Sequence, residues 1–289
     1  MTESTDIIAI WNMTPEAKAA FFEQLNKGNS RFRYSLPSRK DSGQYVQSLI
    51  DYLFPSSSDC ECRFASNRKE LHDTFEKLSY KLECLIRPIS PLLDGTIEQT
   101  VSNFNACLPD IYEKLLEDAQ SITDNDPASQ GIEEVVGIYP GFMAIATYRI
   151  AHALAGLKVP FLPRMFTEYA HSQTGIDIHP HAVIGRSFFI DHGTGIVIGE
   201  TAEIGNHVKI YQGVTLGATH VSKTMAATKR HPTIQDNVVI YANAIILGGD
   251  TVIGHDTIVG GNAWVTHSIP PYSQVYQRSA TEIRTHQPA

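Results

Sequence analysis

His192 and His231 are the residues of this 289-residue chain best suited to proton chemistry, because each stands in a break of an otherwise regular pattern. An unperturbed imidazole titrates near pH 6.5, so at neutral pH it can take a proton from an attacking hydroxyl. His192 lies in Asp191-His192-Gly193-Thr194-Gly195, a run of turn-forming residues in which a side chain can lean away from its surroundings. Arg230 precedes His231, and its guanidinium fork matches a carboxylate in bidentate geometry. Taken singly, His192 reads more readily as a surface histidine, and His231 also reads as a charged loop anchor before Pro232, so the pattern that holds them decides.

That pattern has a period of six. Aliphatic residues recur at Ile178, Ile184, Ile190, Ile198, Ile204, Ile210 and Leu216, and resume at Ile234, Ile240, Ile246, Ile253, Val259 and Val265. Two positions before most beats stands a small or β-branched residue, among them Ala182, Ala202, Val208 and Ala244, and Gly185, Gly199, Gly205, Gly217, Gly254 and Gly260 each follow one. Neither an α-helix nor an ordinary sheet needs a period of six. It predicts a parallel β-helix whose beats point inward and stack coil on coil, with Gly or Asn taking corner dihedrals of positive φ. Three breaks interrupt it: an eight-residue step from Ile190 to Ile198, an excursion from Ala218 to Lys229 that ends at Arg230-His231-Pro232, and a one-residue slip between Ile240 and Ile253. Loops ejected from a rigid wall are where solenoids carry chemistry.

The composition changes near residue 175, and the chain is long enough for two structural parts. Hydrophobic content of 42% suffices for a core, while a net charge of −8 without a long basic run argues against nucleic acid and an anionic membrane surface. Cys60, Cys62, Cys84 and Cys107 all lie in the first part; with no signal-like or membrane-spanning stretch, the expectation is a reduced, cytoplasmic chain. Cys60-Glu-Cys62 has no second ligand pair nearby, so no metal is expected.

The first part reads as helices. Thr14-Pro15-Glu16 is an N-cap signal opening a face of Ala17, Phe21 and Leu25 that ends at Gly28. Leu71, Phe75, Leu78, Leu82 and Leu85 form a stripe that Pro88 stops, and Thr96 with Gln99 resembles a capping box before Ile97, Val101, Phe104 and Leu108. Helices over about 141–156 and 163–172 lead into the repeat, and the Ser- and Pro-rich residues 29–60 read as a loop. The expected organisation is a helical assembly domain over 1–172, a left-handed parallel β-helix over 173–270 and a tail over 271–289.

Across residues 120–270 the chain resembles the serine O-acetyltransferases, which move an acetyl group from acetyl-CoA to the L-serine hydroxyl in cysteine biosynthesis. The likeness rests on Asp124-Asn125-Asp126-Pro127, Tyr148-Arg149-Ile150-Ala151-His152, Asp177-Ile178-His179-Pro180, Asp191-His192-Gly193-Thr194-Gly195, Gly199-Glu200-Thr201-Ala202, Val214-Thr215-Leu216-Gly217 and Arg230-His231-Pro232. The repeat itself is common to many acyltransferases; the block from Asp177 to Glu200 together with Arg230-His231-Pro232 is specific.

The resemblance implies His192 as the general base, with Asp177 accepting from its other ring nitrogen. It implies Asp126, Asp191 and Arg230 as holders of the serine head group, and His231 as a second active-site histidine oriented by Glu200. Ala242 would line the pantetheine path. From the residues themselves, backbone N–H groups at Gly217 and Ala218 could meet the thioester oxygen, and Lys223, Lys229 and Arg230 are the cations nearest the groove in sequence and could offset negative charge near the CoA phosphates, Lys223 reading equally as solvated loop charge. Asp126 has a second reading, since Asn125-Asp126-Pro127 is also a turn signal. A homotrimer, or a dimer of trimers joined through the helices, is expected, with the site shared between neighbours. The chain departs from the family at Ala218, in the length of the excursion, and in a tail ending Gln287-Pro288-Ala289 rather than Ile, which argues against a complex with cysteine synthase. Transfer to another hydroxyl acceptor is the competing reading; a zinc-dependent β-helix would need a histidine trio that the sequence lacks at the required spacing.

Overall fold

The computed structural model describes residues 13–55, 68–219 and 228–278. Cys60, Cys62, Lys223 and the last eleven residues, on which the expectations for a thiol pair, one phosphate contact and the synthase complex fall, lie outside them. A first compact unit ends at Leu36 and contains helix α1 (Pro15–Asn29), whose N-cap Thr14 accepts from the Ala17 N–H at 3.2 Å. The expected face exists but is uncovered within this unit: α1 buries no residue, and Phe21 is 44% exposed.

The second unit starts at Pro37. Its first helix, α2 (Arg39–Leu53), corrects the expectation of a loop over 29–60. Ser38 caps it by accepting from the Asp41 N–H, and Tyr45, Val46, Leu49 and Ile50 form a buried stripe that the flanking Ser and Pro residues mask in composition. Helix α3 (Arg68–Ile86) passes into a 3-10 turn (Arg87–Leu92) at Pro88, and α4 (Ile97–Asn125) begins with the capping box of Thr96 and Gln99. Helices α5 (Ile132–Ile138), α6 (Pro140–Gly156) and α7 (Leu162–Thr174) then lead to the solenoid. No helix among the described residues is long and apolar enough to cross a membrane.

The solenoid is a left-handed parallel β-helix of five coils. The first coil contains β1 (Asp177–Ile178), β2 (Val183–Ile184) and β3 (Phe189–Asp191); the second β4 (Val197–Ile198), β5 (Glu203–Ile204) and β6 (Lys209–Tyr211). The third contains β7 (Thr215–Gly217), β8 (Thr233–Ile234) and β9 (Val239–Ile240); the fourth β10 (Ile245–Leu247), β11 (Val252–Ile253) and β12 (Ile258–Val259); the fifth β13 (Trp264–Val265), a bridge at Ile269, and β14 (Gln274–Val275). Strands β1, β4, β7, β10 and β13 make the first wall, β2, β5, β8 and β11 the second, and the remaining five the third. Every beat stacks on the next in register: Ile178, Ile198, Leu216, Ile246 and Val265 in the first wall, Ile184, Ile204, Ile234 and Ile253 in the second, Ile190, Ile210, Ile240 and Val259 in the third. All are buried, so the single core runs up the axis of the coil.

The glycines after the beats have a different reason from the one expected. None of Gly185, Gly199, Gly205, Gly217, Gly254 or Gly260 has positive φ; that dihedral is taken by Asn237, Asn243 and Asn262, by Gly193, Gly195 and Gly213, and by His192 itself. A Cβ on Gly205 would instead stand 2.2 Å from Asp236 Oδ1, so these positions are bare to let successive coils close on one another. The breaks also find their place. Leu216 and Ile234 are consecutive beats of one coil, so the excursion replaces no coil and leaves at the corner between the first and second walls. The one-residue slip lies at that corner one coil on, where Gly249 passes under Lys229 so closely that a Cβ would meet the Lys229 carbonyl oxygen at 2.2 Å.

Buried polar contacts dock the helices on the first coil. Asp118 of α4, with no exposed side-chain surface, takes the Arg149 fork of α6 at 2.5 and 2.8 Å and the Phe188 N–H at 2.8 Å, and Arg149 also donates to the Gly185 carbonyl. The Tyr148 hydroxyl donates to the Ala182 carbonyl at 2.6 Å, and the His152 ring meets the Pro180 carbonyl. The Tyr148–His152 segment therefore anchors the solenoid and does not enter the site. Asp118→Ala strands the Arg149 cation in the interior, and a loss of about 3–5 kcal/mol is expected in urea unfolding; a loss below about 1 kcal/mol would show that the pair does not anchor the domain.

Candidate active site

The residues singled out from sequence gather at two corners. At the corner between the third and first walls, His192 holds the left-handed dihedral φ of +56°, which a non-glycine residue keeps only where its surroundings enforce it. The backbone thereby turns the ring off the wall: its side chain is 71% exposed, with Nε2 3.7 Å from Asp191 Oδ2. Asp126 reaches this corner from the C-cap of α4. Its Oδ1 accepts from the Ala128 N–H at 2.8 Å, the turn expected from Asn-Asp-Pro, and its Oδ2 accepts from the Tyr139 hydroxyl at 2.7 Å. The Tyr139 bond above all, then the Ala128 N–H, hold the Asp126 carboxyl below the usual carboxylate range, and the nearby His192 adds to this. The same bond pushes the Tyr139 phenol up to about 12. Asp126 thus makes the turn and keeps its charge toward the corner.

Tyr139 escaped sequence reasoning, which saw only the opening of a helix at Pro140-Gly141; nothing in the spacing of 13 residues ties it to Asp126. Tyr211 was also missed. It sits opposite Asp191 in the third-wall ladder, stacks on Tyr241 with centroids 5.2 Å apart and meets Phe189 edge-on, making an aromatic side to the corner. Residue pairs at coil spacing, such as 191 with 211, are the signal that would have found it.

At the corner between the first and second walls, the end of the excursion is stapled to the second coil. Thr201 Oγ1 accepts from the Arg230 and His231 backbone N–H groups at 2.9 and 3.1 Å, and His231 Nδ1 accepts from the Thr201 N–H at 3.0 Å. The ring lies over Gly199, where a Cβ would fall 2.0 Å from its Cδ2. Burial, then the Arg230 charge, lower the His231 pKa. Glu200, expected to orient His231, is bonded instead to the Arg230 guanidinium, a full charge and so a stronger partner than a neutral ring. Burial pushes Glu200 up, but the Arg230 bond and the neighbouring His179 and His181 outweigh it, leaving the carboxyl below its usual range. Burial takes His179, in the coil before, down to about 4. Lys229 donates to the Thr201 carbonyl and pairs with Glu203 at 3.0 Å, so part of its charge is already compensated. Gly217 ends β7 at this corner and Ala218 opens the excursion.

Asp177 begins the first wall just past the His192 break, where Gly175 accepts from the Gly195 N–H. Within one chain it does not pair with His192: its carboxylate lies 3.4 Å from Nη1 of Arg164, a side chain that also pairs with Glu168 and so offsets part of the charge of the group Glu168, His171 and Asp177. Ala242 lies at the His192 corner, two coils on, its carbonyl accepting from Asn262. The two corners are separated by the width of the first wall, about six residues or roughly 20 Å. A small acceptor cannot touch both histidines of one chain. The outward column of the first wall between them runs Asp177, Val197, Thr215, Ile245 and Trp264, polar at two positions and apolar at three, the last 61% exposed.

A three-walled hexapeptide coil with an imidazole turned out at one corner is the plan of the hexapeptide-repeat transferases. No protein-family model matches the chain. A plasmid-encoded serine acetyltransferase of Synechococcus elongatus is 42% identical over 264 residues, covering 84% of this chain and 82% of that one. The serine acetyltransferase of Bacillus subtilis is 48% identical over 164 residues, 57% of this chain and 73% of its own. Among solved structures, serine acetyltransferase isoform 3 of Entamoeba histolytica in complex with cysteine superposes with a TM-score of 0.74 at 33% identity, covering 84% of each chain. The chain belongs to the serine acetyltransferase family.

Proposed function

We propose that the chain transfers the acetyl group of acetyl-CoA to the hydroxyl of L-serine, giving O-acetyl-L-serine and CoA, and that it does so as a homotrimer with sites between neighbours. One observation carries the assembly: the two histidine corners flank one wall that leaves Val197 and Trp264 exposed. A threefold axis along that wall brings the His192 corner of each chain against the His231 corner of the next, and buries Val197, Ile245 and Trp264. Pairing of two trimers through the helices would give a hexamer.

In this site His192 takes the proton from the serine hydroxyl as it attacks the thioester carbon and then passes it to the departing CoA sulfur. Asp177 would accept from the other ring nitrogen once His192 turns onto the first wall. Asp126 and Asp191 face the ammonium and hydroxyl end of the amino acid, and Arg230, held by Glu200, faces its carboxylate. Acetyl-CoA would run along the groove between the chains, its carbonyl toward Gly217 and Ala218, its pantetheine past Ala242 and its phosphates toward Lys229. A backbone N–H aimed at the developing oxyanion is worth about 10² to 10³ in rate. The bond from Tyr139 keeps Asp126 ionised on the acid side. In Tyr139→Phe the Asp126 pKa rises toward its ordinary value, so the ammonium partner is lost sooner as pH falls. A serine KM raised roughly 3- to 10-fold at neutral pH, and by more at acid pH, is expected with a smaller change in kcat; a KM that keeps the parent's pH dependence would contradict this use of Tyr139.

Release of CoA thiol from acetyl-CoA with L-serine, L-homoserine, L-threonine or no acceptor tests the acceptor. Serine-dependent release supports the reading. Release with another hydroxyl compound in preference would keep the fold and the base but discard the serine pocket, and no release with any acceptor would leave the repeat as a scaffold.

A further inference from the structure

We propose that Thr201 is a positioning residue that fixes His231 as a hydrogen-bond donor, holding its proton on Nε2 so that the ring offers an N–H, not a lone pair, to a substrate oxygen. The inference rests on the reading of His231 as part of the acyl-transfer site. A backbone amide can only donate, so the 3.0 Å bond from the Thr201 N–H to Nδ1 makes Nδ1 the acceptor and assigns the ring proton to Nε2. The Thr201 hydroxyl gives the same answer independently. Its oxygen already accepts from the Arg230 and His231 backbone N–H groups, which directs its own proton to Nδ1 at 2.9 Å. Two donors therefore converge on one ring lone pair.

Protonating Nδ1 would drive a third hydrogen against them, so the neutral ring is enforced by geometry. The surrounding groups act on balance in the same direction. Burial and the charges of Arg230 and Lys229 oppose a second proton on His231, and Glu200 alone favours it while spending its hydrogen bond on Arg230. His179, within reach of Glu200, is itself kept neutral by burial. Gly199 completes the device, since any side chain there would push the ring off the wall.

The two histidines then divide the chemistry by tautomer. His192, exposed on its turn, is free to act as base, whereas His231 cannot take a proton at Nε2 because it carries one already. A fixed N–H suits the amino-acid carboxylate or the oxygen that gains charge as the thioester is attacked. Thr201 and His231 are 30 residues apart in sequence and one coil apart in space, so the same staple also sets where the excursion returns.

The test uses the full-length enzyme with ring-¹⁵N histidine, assigning His231 by its loss in His231→Gln. A protonated Nε2 and an acceptor Nδ1 from roughly pH 6 to 8 are expected; a proton on Nδ1, alone or with Nε2, overturns the proposal. Thr201→Val should lower kcat/KM for serine by about 10-fold or more and move the acid limb of its pH profile toward neutrality, while Thr201→Ser, which keeps the hydroxyl, restores both. Thr201→Val with a lower melting temperature but an unchanged pH profile would mark Thr201 as structural only and overturn the proposal. Parent-like activity in His231→Ala, which removes the donor, would instead overturn the placement of His231 in the site, and the proposal's catalytic half with it, while the ring tautomer is still read directly.

Discussion

Replacing His192 is expected to lower kcat for serine acetylation by about 10² to 10⁴, the range a positioned general base supplies. The loss should fall on kcat and kcat/KM together, because proton removal is needed only as the hydroxyl attacks. Two variants separate chemistry from folding. His192 sits at φ +56°, where Ala is strained but Asn is tolerated, so His192→Asn keeps the corner and removes the base. Because the ring is exposed, neither change opens a cavity, so His192→Asn should melt near the parent and His192→Ala lower only by its backbone strain. If His192→Asn keeps more than about a tenth of the parent kcat, the base lies elsewhere.

The second large effect is recovery from two dead parts. If His192 of one chain works with His231 of the next, His192→Asn and His231→Ala trimers are each inactive, but chains mixed one to one while unfolded and then reassembled contain intact sites. An interface is intact when the first chain carries the His231 change and the second the His192 change, so about one quarter of parental activity should return. Sites contained within one chain would return none. The wall width makes this a sharp test, since roughly 20 Å separates the two corners of one chain.

Much of this was legible in the sequence, and the reasons differ by element. A β-helix has a local code, one inward residue per six, so every beat from Ile178 to Val265 took its expected place. The breaks were legible for the same reason. The glycines were found but explained wrongly, because coil-to-coil approach is a contact between residues some 20 to 30 apart and leaves no local trace. Helix α2 was hidden because Ser and Pro at its edges outweighed a short buried stripe. Within the site, residues in the breaks stood out, whereas Tyr139 and Thr201 did not. Each acts through one hydrogen bond network across the fold, Tyr139 on Asp126 and Thr201 on His231, and such pairings follow from packing and not from spacing. The Tyr148–His152 segment had the opposite fate: it carried part of the family likeness, yet its side chains are committed to docking the helices.

Product analysis tests acetyl transfer to serine most directly. Acetyl-CoA and L-serine are incubated with the parent enzyme, and acetylated serine is identified by mass spectrometry and counted against CoA released. One O-acetylserine per CoA, formed at least about 10²-fold more slowly with His192→Asn, is the expected result. CoA release without acetylated serine, or acetyl on the amino group alone, would contradict a site in which His192 activates the serine hydroxyl.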